Sequence, residues 1–200
     1  MNFNHGMELI PALILGWLNG WVLLVLLYLI VGILILTLPK AVRARLYEYD
    51  KSHWTKKHRI FYVTAKLLVL VYFVLVIFTP LKIGSTSFTL GLIFLALGLI
   101  GFGVALVNFK NTPFDQPVSR GLYSISRHPQ ILTLFIAGVG ICLAIGSWLA
   151  LFIQVISVLF GRSRLLEEEK ALVERYGESY LNYMKRVPRY LLIKTHIPEE

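Results

Sequence analysis

Cysteine is almost missing from the chain. Cys142 stands alone inside an apolar run, so an internal disulfide is excluded and a buried, packing thiol is expected. Charge is scarce as well. Asp, Glu, Lys and Arg make up 16% of the 200 residues, against roughly a quarter in soluble proteins, and hydrophobic residues reach 56%. These two figures argue against a soluble domain and for one integral membrane domain spanning 1–200. No second His or Cys lies near His128 at metal-ligand spacing, so no metal site is expected. The sequence also lacks a nucleophile elbow, a phosphate loop, a helix-turn-helix, a zinc finger, an RNA-binding signature and any internal repeat.

The charge that remains is mostly positive, with a net value of +9, and its placement matters more than its size. Of 20 Lys and Arg, seven fall in 39–59, three in 108–130 and eight after 160. These basic segments alternate with apolar runs, the pattern of loops retained on the cytoplasmic side of a membrane. Membrane orientation therefore accounts for the charge, and nucleic acid is not an expected partner. The apolar runs are 9–38, 60–79, 88–107, 130–146 and 148–160, which predicts an all-α polytopic protein with five transmembrane helices. The N-terminus is expected outside, and 39–59, 108–130 and the C-terminal part inside. The first run has no basic leader and reads as an anchor, with Trp17 and Trp21 at the outer interface.

Segment 39–59 is basic and amphipathic, with Tyr47, Tyr49 and Trp54 among its cations, as interfacial anchoring requires. Gly91, Gly98, Gly101 and Gly103 dot the third run and suit close helix packing. Pro113, Pro117 and Gly121 forbid a continuous helix through 108–130, and a polar loop of that length inside a compact protein is usually functional. The turn Gly146-Ser147-Trp148 closes a hairpin. The fifth run is short, so it is expected to continue past Gly161 as an amphipathic helix stopping at Gly177. The hairpin returns Arg127-His128-Pro129 and the Arg164 to Glu169 stretch to one membrane face.

Each of these residues has a plain reading. Arg164 and Glu168, four apart on a helix, can be a surface ion pair; Glu167 to Glu169 can be acidity near a helix start; His128 can be a loop histidine set by Pro129. Against this, the charges directly follow an apolar span, where desolvated charge is expensive.

Taken in order, Gly121-Leu122-Tyr123, Arg127-His128-Pro129, Arg164, Glu168-Glu169, Leu172, Tyr176-Gly177, Tyr180, Tyr183 and Val187-Pro188-Arg189 form a pattern. It resembles the isoprenylcysteine carboxyl methyltransferase family and the related membrane phospholipid N-methyltransferases. The likeness covers about 115–190. It implies S-adenosylmethionine as cofactor, bound on the cytosolic side by Asp115, Gln116, Pro117, Val118, Tyr123, His128, Pro129, Gln130, Ile131 and Glu168. In such enzymes the counterpart of Glu168 meets the cofactor's amino group, and the counterpart of Arg164 faces the acceptor. Arg164 and Glu168 are thus the expected catalytic residues, with Arg164 also binding substrate. Two positions depart from the family: Ile131 stands where a Tyr is usual, and Asp115 to Val118 replace a His followed by an aliphatic pair.

The resemblance implies methyl transfer to a lipophilic or lipidated acceptor within the membrane, first of all the carboxylate of an isoprenylcysteine-like substrate. A carboxylate acceptor would need only a guanidinium to hold it. An amine acceptor, as in a phospholipid N-methyltransferase, would need a base, for which Glu168, Glu169 and His128 are available. An NADPH-dependent sterol-type membrane reductase, which shares a His-Pro-containing terminal region, and a non-enzymatic carrier are the alternatives.

Overall fold

The computed structural model describes residues 6–47 and 55–190, so Tyr49 and Trp54 lie outside the described residues. Among the described residues, seven α-helices and one short 3-10 turn make up the regular structure: α1 (Trp21–Leu36), α2 (Lys40–Tyr47), α3 (Lys56–Phe78), α4 (Thr86–Lys110), the turn Gly121–Ser124, α5 (Pro129–Ala144), α6 (Trp148–Tyr176) and α7 (Glu178–Arg186). No strand occurs among the described residues; only two isolated bridges do. Among the described residues, three helices, α3, α4 and α6, are long and apolar enough to cross a membrane; α1 and α5 are apolar but have 16 residues each, about 24 Å. Leu, Ile, Val and Phe side chains stand exposed along α1, α3, α4 and α6. That outward apolar surface is what a lipid environment requires, and it marks an integral membrane protein.

Small residues hold the bundle together. A Cβ at Gly91 would lie 2.5 Å from the Gly140 carbonyl oxygen, and one at Gly98 2.5 Å from the Ala137 nitrogen. The α4 and α5 backbones therefore touch, which makes a rigid pair out of the two helices that flank the long polar loop. Polar side chains tie in the neighbours: Gln154 of α6 donates to the Phe135 carbonyl at 2.9 Å, and Tyr72 of α3 donates to the Gly138 carbonyl at 3.4 Å. Cys142 is fully buried and donates to Gln154 at 3.2 Å, the packing role expected of it.

The apolar run 9–38 is not one helix. Only its second half forms α1; residues before Gly20 run across the end of the bundle without helical structure. The reason is a set of helix-end groups that need partners. Ile14 N–H donates to the Phe78 carbonyl, Gly20 N–H to Thr79, and Glu8 N–H to Gly146, while Trp148 N–H donates back to Glu8. Asn19, buried, donates through its amide to the carbonyls of Ile14 and Ile77. Hydropathy reads the same run as a long span because it cannot register these distant acceptors. Lys82 pairs with Glu8 at this same end.

The other hairpin follows its expectation. Gly146 takes φ +66°, Ser147 caps α6 through the Ala150 N–H, and α6 continues unbroken for 29 residues to Tyr176, about 44 Å. That exceeds the roughly 30 Å of a bilayer core, so its charged half projects beyond the apolar zone. Glu167 to Glu169 consequently sit deep within α6, not at a helix start, and helix-dipole acidity does not account for them. The expected continuation past Gly161 is thus the second half of α6, stopped by Gly177 at φ +55°, and a further short amphipathic helix, α7, follows it.

Candidate functional site

At the end of the bundle opposite Glu8 and Gly146, the polar loop 111–128, the charged half of α6 and the segment after α7 close on one another. Three hydrogen bonds join the His-Pro loop to the C-terminal segment. Arg127 N–H donates to the Pro188 carbonyl at 3.0 Å, the Ser126 hydroxyl to the Arg189 carbonyl at 2.9 Å, and the Tyr183 hydroxyl to the Tyr123 carbonyl at 2.7 Å. Tyr180, Tyr183 and Val187 pack under them with Leu172 and Tyr176. The spaced aromatic residues of the C-terminal pattern are thus the floor on which the loop rests.

At the centre is a buried ionic knot around Glu169. Arg189 grips the carboxylate at two points, Nε to Oε1 at 2.9 Å and Nη2 to Oε2 at 2.5 Å. Arg127 Nη1 and His128 Nε2 each lie 3.2 Å from Oε1. All four residues are buried, at 2–6% exposure. A carboxylate so placed needs several donors to offset its desolvation, and it has them. Burial lowers the Arg127 guanidinium from its usual range, with Glu169 opposing, whereas the hydrogen bond to Glu169 raises Arg189.

The knot also orients His128. Glu169 can only accept, so Nε2 carries the hydrogen of the bond, and in the neutral ring Nδ1 is left as an acceptor. That nitrogen lies 3.9 Å from Oε1 of Glu168, whose side chain is 35% exposed. With the ring neutral, two acceptors sit side by side at the open edge of the knot, an arrangement that suits a charged N–H donor such as an ammonium. Tyr123 completes this edge: its hydroxyl accepts from Gln130 Nε2 at 3.0 Å. Burial pushes the Tyr123 phenol well above its usual range, with Tyr183 and Glu168 adding to the effect, so the group stays neutral.

The loop 112–118 is held by a residue that the sequence pattern passes over. Arg45 of α2 donates to the carbonyls of Thr112 (3.0 Å), Pro113 (3.1 Å) and Gln116 (2.8 Å) and to the Tyr176 hydroxyl (3.0 Å). Its guanidinium lies 5.1 Å from the ring centroids of both Phe109 and Phe114. Tyr176 in turn donates to the Phe114 carbonyl at 3.2 Å. At the loop's other end Gly121 takes φ +63°, and a Cβ there would fall 2.2 Å from Asn108 Oδ1. Asn108 uses that oxygen to accept from Leu122 N–H at 3.0 Å. Glycine is therefore required at 121 for conformation and for room.

Of the residues singled out in the sequence, Tyr123, His128, Pro129, Gln130 and Glu168 meet at one edge. Ile131, half-buried, begins α5 beside them; Asp115 and Gln116 are exposed on the Arg45-held loop, with Pro117 and Val118 half-buried. Arg164 sits half-buried one turn before Glu168 on α6. Arg127 and Arg189 belong to the motif without an assigned role, Glu169 only as a candidate base for an amine acceptor, and the structure joins all three in the knot. Arg45 carried no signal beyond being one cation in a basic segment.

The family model for phospholipid methyltransferase matches residues 60–179, from the start of α3 through α6 to the first residues of α7. The chain belongs to the phospholipid methyltransferase family. Within that family it is similar to three proteins named protein-S-isoprenylcysteine O-methyltransferase. The Schizosaccharomyces pombe protein is 33% identical over 72 residues, which cover 36% of this chain and 30% of that protein. Those of Mus musculus and Rattus norvegicus are each 35% identical over 72 residues, 36% of this chain and 25% of the relative. The matches thus span less than a third of these relatives' lengths. No solved structure matches the chain significantly.

Proposed function

We propose that this protein transfers a methyl group from S-adenosylmethionine to a lipophilic acceptor in the membrane, most directly the carboxylate of an isoprenylcysteine-like substrate. The observation that carries the proposal is the open edge of the knot, where His128 Nδ1 and Glu168 Oε1 stand 3.9 Å apart beside neutral Tyr123. An amino-acid ammonium fits two such acceptors, so the residues present suit the cofactor. The printed names of the relatives support the choice of reaction and acceptor.

S-adenosylmethionine, when bound, supplies a methyl group on a positively charged sulfur, an already activated leaving group. The task left to the protein is alignment and exclusion of water. Glu168 and His128 hold the cofactor's charged amino end. Glu169, Arg127 and Arg189 keep His128 in the tautomer and orientation that this requires. Asp115 to Val118, with Pro129, Gln130 and Ile131, wall the cofactor. Arg164, on the Glu168 face of α6, holds an acceptor carboxylate through its planar fork. The region 115–190 carries this site within a single domain. In this proposal α1 and α5 cross the bilayer along with α3, α4 and α6, and the knot faces the cytoplasm as the basic segments indicate.

The name of the family itself favours a second acceptor, a phospholipid amine, for which Glu168 would serve as base. One assay separates the two. Purified protein is given tritiated cofactor and membrane lipid extract, and the labelled lipid is treated with base. Volatile methanol marks a methyl ester and supports the carboxylate. Label that stays with the lipid marks transfer to nitrogen or sulfur and overturns that choice. Absence of transfer, together with no binding of S-adenosylhomocysteine, would reject the methyltransferase reading and bring NADPH binding forward as the next measurement.

A further inference from the structure

A groove of about 430 Å³ opens between α3 and α6, away from the knot. Phe61, Leu159, Phe160 and Leu166 make its apolar walls, and His58, Arg162 and Ser163 its polar end. On α6, Leu159, Arg162, Ser163 and Leu166 follow one another at helical spacing and form a single stripe. Glu168 lies two residues beyond Leu166, about 200° round the helix axis. Arg164 is displaced from Arg162 in the same way. Glu168 therefore faces away from this stripe, while Phe160, one turn before Arg164, stands between the two.

The polar end sits where both helices change character. Arg162 is the first charged residue after the uncharged stretch 148–161, and α3 turns from Lys56, His58 and Arg59 to Ile60 and Phe61 at the same place. His58 Nδ1 lies 3.1 Å from Oε1 of Glu167, so this side chain already has a partner. Arg162 is exposed, and no carboxylate of the described residues pairs with it. An apolar trough with one unmatched guanidinium at the polar boundary is complementary to an amphiphile with an anionic head.

We propose that this groove is a binding site for an anionic phospholipid of the surrounding bilayer, with its acyl chain laid over the Phe61–Phe160 ring pair, whose centroids stand 5.5 Å apart, and its phosphate on Arg162. This site is separate from methyl transfer. The phosphate takes the paired N–H donors of the guanidinium, and the chain covers the apolar surface that Phe61, Leu159 and Leu166 present along the seam of the packed helices α3 and α6.

Native mass spectrometry of the full chain in detergent tests it, with phosphatidylglycerol, phosphatidylcholine and glycerol 3-phosphate as probes. Phosphatidylglycerol is expected to bind up to about fivefold more tightly than phosphatidylcholine, and Arg162→Gln to bring the two together. Phe61→Ala should weaken both lipids, and glycerol 3-phosphate alone should not compete. Arg162→Gln should leave S-adenosylhomocysteine binding unchanged, and Glu168→Gln should leave lipid binding unchanged. Unaltered phosphatidylglycerol affinity in Arg162→Gln overturns the proposal. So does competition by glycerol 3-phosphate as strong as that of the lipid, which would reduce the site to a simple anion contact. An Arg162→Gln variant that binds lipid normally but has a raised KM for the methyl acceptor would assign the groove to the reaction instead.

Discussion

Replacing Arg45 tests whether one side chain from a distant helix sets the loop of the candidate site. The guanidinium makes four hydrogen bonds, but two of them, to the carbonyls of Pro113 and Gln116, are exposed and can be replaced by water. The two partly buried ones, to Thr112 and to the Tyr176 hydroxyl, carry the effect. A hydrogen bond to a charged group contributes about 1.5 kcal/mol at the low end, so opening of 112–118 should become easier by about 3 kcal/mol in Arg45→Met. This corresponds to roughly 150-fold faster amide exchange in that loop if exchange follows local opening. Arg45→Lys should recover only part of the protection, since an ammonium cannot span three carbonyls and a hydroxyl in one plane. Tyr176→Phe removes both the acceptor for Arg45 and the donor to Phe114. In a double-mutant cycle the two changes should show a coupling of about 1 kcal/mol or more. Hydrogen exchange read by mass spectrometry on the full chain gives all these values. Exchange in 112–118 that rises less than about threefold in Arg45→Met would refute the reasoning, because the loop would then be held by its own turns. S-adenosylhomocysteine affinity should fall along with loop protection, by calorimetry on the same variants.

The two neighbouring glutamates should behave differently. Glu169→Gln leaves the buried Arg127 and Arg189 uncompensated and should cost about 3 kcal/mol or more, seen as a large drop in apparent Tm. Glu168→Gln, half-exposed, should leave Tm nearly unchanged while weakening S-adenosylhomocysteine binding over tenfold; equal Tm losses would contradict the geometry. Gly121→Ala forces a non-glycine residue to φ +63° against Asn108 and should lower stability by more than about 1 kcal/mol in thermal unfolding, with no relief from added cofactor. For topology, single cysteines placed in a Cys142→Ser background at the exposed Ile83 and Ile125 should label from opposite sides of the membrane. Labelling of both from outside intact cells would overturn the orientation.

Much of the architecture was open to reading in one dimension, because membrane burial is a local property of each run. Apolar runs located α3, α4, α5 and α6 to within a few residues, and Gly146-Ser147 and Gly177 marked their turns through backbone chemistry that acts at the residue itself. The order of Tyr123, His128, Glu168, Tyr180, Tyr183 and Arg189 was likewise visible, and the first three fall within the family match over 60–179. What tertiary structure alone decided are pairings between residues far apart in the chain. The fold chose Glu169 over Glu168 as the hub, because one helix position later turns a carboxylate by about 100°, from the open edge into the space between Arg127 and Arg189. It delayed the start of α1 to Trp21 by supplying acceptors from Phe78, Thr79 and Gly146 to a segment that hydropathy alone would make helical. It also brought Arg45 across 67 to 131 residues of sequence onto Thr112 and Tyr176. Hydrogen bonds of this kind depend on where two backbones meet in space, and nothing in the composition of either segment carries that information.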